Sequence, residues 1–140
     1  MAVVTDIAGI KQFYITLNGV SAHAGGMAME DRHDAMAAAA AIACEVERLA
    51  LESGSTTRGT VGYIEARPAE HNIVANQAIV PVDFREKEDG LWQQLYDDLM
   101  AFVEKQCKDR GLTYSVKSTI NTKPVHCDKR LVELIRQCTQ

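Results

Sequence analysis

The chain has 140 residues, 46% of them hydrophobic, with 15 basic and 19 acidic side chains and a formal net charge of −4. That is enough for one globular domain with a buried core, and it leaves no basic stripe to follow a phosphate backbone, so nucleic acid is excluded as a partner. The longest apolar run, 35–44, is far shorter than the roughly 20 residues of a membrane span. The opening MAVVTDIAGIKQ lacks the basic and apolar regions of a signal peptide, so the expected setting is cytoplasmic, without a membrane partner.

Phe13, Ile15 and Leu17 alternate with polar residues, as in a half-buried strand. After a glycine- and methionine-containing loop, Asp31 is placed to cap a helix over 31–53. Its apolar positions Ala35, Ala39, Ile42, Val46 and Leu49 recur at three and four, and Gly54 follows as a stop. Thr60–Ala66 reads as a second strand that Pro68 ends, and 78–85 as a third, with Val80, Val82 and Phe84 inward and Asp83 and Arg85 outward. Pro81 sits awkwardly in that third strand, because proline cannot donate to a ladder.

Leu91, Leu95, Leu99, Phe102 and Val103 mark a second amphipathic helix over 89–110 that Gly111 closes, and Leu112, Tyr114 and Val116 alternate as a fourth strand. The order strand, helix, strand, strand, helix, strand predicts an α+β, ferredoxin-like βαββαβ sandwich. Its four-stranded antiparallel sheet carries both helices on one face. A further helix after Pro124 falls outside that pattern. The expected organisation is therefore a tail over 1–11 from a preceding domain, the sandwich over 12–121, and a return segment over 122–140.

Cys44, Cys107, Cys127 and Cys138 are far apart and form no metal-binding spacing, so they read as reduced thiols. Two features stand out as chemistry. His23 lies in SAHAGGMAM, among small residues that leave a titratable ring uncrowded. Arg85 offers a planar fork suited to a carboxylate.

Three stretches together resemble one family. AHAGGMAMEDRHDA, 22–35, is similar to the H-A-G-x-x-P-M-x-x-R-x-D-A signature of the lid, or dimerisation, domain in amidases of the aminoacylase and carboxypeptidase metallopeptidase clan. RPAEHNIVANQAIVPVDFR, 67–85, resembles P-N-x-x-N-x-I-P followed by D-x-R, and it matches that pattern at Asn72, Asp83 and Arg85. KPVHCDKRLVELI, 123–135, resembles the return into the catalytic domain. The chain departs from the pattern at Gly26, Met27 and Ala28, at Ala69 and at Ala75. The branch resembled holds N-carbamoyl-L-amino acid amidohydrolases, allantoate amidohydrolases and β-ureidopropionases.

The resemblance implies a homodimeric hydrolase of a linear amide C–N bond that acts on a small carboxylate-bearing substrate. It also implies a pair of divalent metals (zinc, manganese, cobalt or nickel) in a separate catalytic domain, and no cofactor in this chain. It assigns His23 to oxyanion stabilisation in the partner subunit's active site, and Asn72 and Arg85 to the substrate carboxylate. Arg32 and Asp34 are expected to pair charges and cap the helix that presents His23. His33 is expected on that helix and solvated, and His71 exposed. The competing expectation is a ferredoxin-like module that binds an amino acid for regulation and does no chemistry.

Overall fold

A computed structural model describes residues 3–54 and 56–138. In chain order the elements are β1 (Asp6–Ile7), β2 (Gly9–Asn18), a 3-10 turn (Met29–Asp31), α1 (Ala35–Glu52), β3 (Arg58–Thr60) and β4 (Glu65–Arg67). There follow β5 (Gln77–Glu86), α2 (Leu91–Arg110), β6 (Thr113–Thr122), β7 (Val125–His126) and α3 (Lys129–Cys138). The protein is α+β, and every strand pairing is antiparallel.

The main sheet runs β3-β5-β2-β6, with β4 also paired to β5. It therefore has five strands, not the four expected, because the predicted strand Thr60–Ala66 is broken. β3 pairs with Asp83–Arg85 and β4 with Gln77–Ile79, while residues 61–64 leave the ladder. The break lies opposite Pro81, whose ring nitrogen has no hydrogen to donate, so an interior strand tolerates proline at the place where a neighbour is missing.

One face of the sheet is buried. Phe13, Ile15 and Leu17 of β2 and Ala78, Val80, Val82 and Phe84 of β5 form one cluster with Ala35, Ala38, Ala39, Ile42, Val46 and Leu49 of α1 and with Leu95, Leu99, Val103 and Cys107 of α2. The Phe13 ring meets Tyr96 edge-on at 5.1 Å, and the Lys11 ammonium lies 3.9 Å from the centre of Trp92, tying the first turns of α2 to the sheet end. Among the described residues no helix packs on the opposite face, which carries Gln12, Tyr14, Asp83 and Arg85.

Helix α1 starts at Ala35, four residues later than expected, because the cap is Asp34 rather than Asp31. Asp34 is extended, and its Oδ1 accepts from the N–H groups of Met36 at 2.9 Å and Ala37 at 3.1 Å. Gly54 follows the helix at φ +115°, and Gly111 ends α2 at φ +63°. Apart from the main sheet, β1 pairs with β7, matching Asp6 to His126, and Val132 of α3 lines a cleft with both of them, while Leu131, Leu134 and Ile135 stay exposed. Among the described residues no helix is long and apolar enough to cross a membrane, and all four cysteines are free thiols.

Candidate functional site

Two loops at one end of the sheet are joined backbone to backbone. His23 forms an antiparallel bridge with Ile73, Ala24 N–H donates to the Asn72 carbonyl at 2.9 Å, and Val74 N–H donates to the Ala22 carbonyl at 2.8 Å. The two hydrogen bonds flank the bridge, so the His23 backbone lies opposite Ile73 and one position from Asn72, and His23 and Asn72 are both exposed. Gly25 N–H donates to His23 Nδ1 at 3.1 Å. A neutral imidazole that accepts at Nδ1 carries its proton on Nε2, so the outward nitrogen is a donor.

The loop is held shut from within. Arg32 Nη2 donates to the Ala24 carbonyl at 2.6 Å and to the Met27 carbonyl at 3.3 Å. Arg32 thus serves the shape of the loop, and Asp34 the start of the helix behind it.

The expectation that His33 is helical and solvated is corrected. It precedes α1 and is partly buried, and its Nδ1–H donates to the Arg110 carbonyl at 2.8 Å, while its own carbonyl accepts from Val20 N–H at 3.1 Å. It ties the root of the His23 loop to the end of α2. His71 is exposed, as read from the sequence.

Arg85 lies elsewhere. It projects from the open face near the far end of β5, eight residues along the strand from Gln77, or roughly 27 Å at a rise of about 3.4 Å per residue. One copy of the chain therefore brings the backbone segments of His23 and Asn72 together but does not bring Arg85 to them. Arg85 donates from Nε to Asp83 Oδ1 and from Nη2 to Asp83 Oδ2, each at 3.1 Å, and Gln12 Nε2 donates to the same Oδ2 at 2.7 Å. Burial pushes the Asp83 carboxyl up, but the hydrogen bonds from Arg85 and Gln12 outweigh it and hold the group below its usual range. The same pairing raises Arg85.

Gln12 was not singled out from the sequence. The alternation of β2 turns it outward, but its partner is 71 residues away. Among the described residues no group of three or more His, Cys, Asp or Glu side chains could hold a metal ion. The described residues therefore do not supply a site for the divalent pair that the resemblance implies in a separate domain.

No family model matches the chain. The chain is 29% identical to the allantoate amidohydrolase of Bacillus subtilis over 94% of its own length and 32% of that protein. It is 30% identical to an N-carbamoyl-L-amino-acid amidohydrolase of a Pseudomonas species over 98% of its length and 33% of that protein. Among solved structures, it is similar to an amidase of the hydantoinase/carbamoylase family from Burkholderia multivorans, with a TM-score of 0.93 and 30% identity over 96% of this chain and 33% of that one.

The fold is thus an α+β unit of a kind found in C–N bond hydrolases. The chain is a homologue of the amidohydrolase branch that holds N-carbamoyl-L-amino acid and allantoate amidohydrolases. It spans about a third of the length of the curated relatives it matches.

Proposed function

We propose that this chain is the lid and dimerisation domain of a metal-dependent amidohydrolase. Its reaction is the hydrolysis of a linear amide C–N bond in an N-carbamoyl-L-amino acid or related ureido acid, which consumes one water and releases ammonia, CO2 and the acid bearing a free amine. The observation that carries the reading is the division of the site between the two ends of β5.

At one end an exposed imidazole presents an Nε2–H donor beside Asn72; at the other Arg85 presents a cation. A small ureido acid cannot bridge roughly 27 Å of strand. In a homodimer the two ends need not come from the same copy, so one substrate can meet Arg85 of one subunit and His23 with Asn72 of the other.

Each residue then has a task its chemistry suits. Arg85 takes the substrate carboxylate through two parallel charge-assisted bonds, and the Asn72 amide adds a neutral hydrogen bond to the same group. His23 Nε2–H points where negative charge grows on the carbonyl oxygen as the C–N bond is attacked. A donor of this type serves the transition state more than the ground state, and losing one costs about 10²–10³ in rate.

The direct test is hydrolysis of N-carbamoyl-L-alanine by the full-length protein and by residues 1–140 alone. Turnover by the full-length protein only is the expected result. Turnover by the 140-residue chain, or none by either, contradicts the proposal.

A further inference from the structure

Resting on the reading of Arg85 as the carboxylate ligand, we propose that Asp83 and Gln12 are positioning residues that aim its guanidinium. A guanidinium has two edges able to bind a carboxylate with paired bonds, the Nε/Nη2 side and the Nη1/Nη2 end. Asp83 occupies the side edge with both oxygens. Among the described residues Nη1 meets no protein acceptor, and the Arg85 side chain is 52% exposed, so the end edge is the one offered outward.

Asp83 is itself fixed. Gln12 is its register partner on β2, and the Gln12 Nε2 bond to Oδ2 keeps the carboxylate from rotating away from Arg85. Gln12 and Asp83 also line an open trough of about 280 Å³ with Tyr14, Thr60, Tyr63 and Pro81, formed where residues 61–64 leave the sheet. The relay thus joins the wall of a concavity to the arginine beside it.

A carboxylate next to an anion-binding arginine has a cost, since it repels the ligand it helps to place. Across the sheet the register partner of Arg85 is Arg58, a second cationic side chain on the same face. Two like charges directly opposite each other disfavour the sheet. A bound anion between them relieves that cost.

Positioning and simple repulsion predict opposite signs, which makes the relay testable in the full-length protein with N-carbamoyl-L-alanine and its uncharged carboxamide. D83N should raise KM for the acid by about tenfold, the order expected for losing a charge-assisted bond, with kcat nearly unchanged. Q12L should raise it by about threefold, the order of one neutral hydrogen bond. Neither variant should alter KM for the carboxamide.

A lower acid KM in D83N, or equal effects of Q12L on both substrates, overturns the relay. Should D83N fail to fold, Q12L decides alone: an unchanged acid KM overturns the relay. If R85Q leaves the preference for acid over carboxamide intact, the Arg85 reading itself is what fails.

Discussion

His33 and Gly111, 78 positions apart in the chain, occupy one contact: a Cβ built on Gly111 would lie 2.5 Å from His33 Nδ1. The ring sits over the glycine and donates to the neighbouring Arg110 carbonyl. Gly111 also has φ +63°, a conformation that side chains disfavour. Gly111→Ala should therefore lower stability by about 1–3 kcal/mol, read as a reduced urea midpoint at unchanged m. Because His33 also anchors Val20 at the base of the His23 loop, the same variant should lower kcat in the full-length protein.

Arg32 makes a second prediction about that loop. Its bonds to the Ala24 and Met27 carbonyls close the turn that carries His23. Arg32→Ala should leave the thermal midpoint within a few degrees and cut kcat, since the donor is misplaced while the core is untouched. Arg32→Lys should not rescue it, because one ammonium cannot reproduce a planar fork.

Glu86 predicts the acid limit of stability. It is 1% exposed and accepts from the Thr57 hydroxyl, from Thr56 Oγ1 at 3.0 Å, and from the N–H groups of Lys87 at 2.6 Å and Glu88 at 3.0 Å. Burial alone would raise its pKa, yet these four donors hold it below the ordinary 4.5. A folded-state pKa below the unfolded one contributes stability above pH 4.5, and that stability is lost as pH falls from there through the depressed folded value. Glu86→Gln should cost about 1–3 kcal/mol at pH 7 and flatten the acid limb, since an amide turns two donors toward groups that need an acceptor. Urea titrations between pH 3 and 7 would show both effects, and an unchanged acid limb would count against this role for Glu86.

Most elements were legible because their causes are local. The alternation at Phe13, Ile15 and Leu17 gave β2, and the spacing from Leu91 to Val103 with Gly111 gave α2. The break in the second strand was not legible, although Pro81 had already marked the third strand as unusual. What joins the two facts is the register of β5 against β3 and β4, which no single stretch contains.

His33 was misread for the same reason: its partner, Arg110, belongs to another helix. The capping role expected of Asp34 from the motif is the one found, while Asp31, the cap suggested by the apolar spacing, belongs to the 3-10 turn Met29–Asp31. His23, Asn72 and Arg85 could be picked out by their motifs, but their division between opposite ends of the sheet could not. Gln12 carried no motif at all.

The claim that one active site draws on two copies is tested most directly by mixing two impaired variants. His23→Ala full-length subunits, slowed by about 10²–10³, and Arg85→Gln subunits, weakened for the carboxylate, are unfolded together, refolded and assayed with N-carbamoyl-L-alanine far below KM, where each alone shows little turnover. In a mixed dimer one of the two sites then pairs an intact Arg85 with an intact His23, so random assortment should restore about a quarter of the wild-type activity. No recovery, with mixed dimers confirmed by mass, would contradict the account.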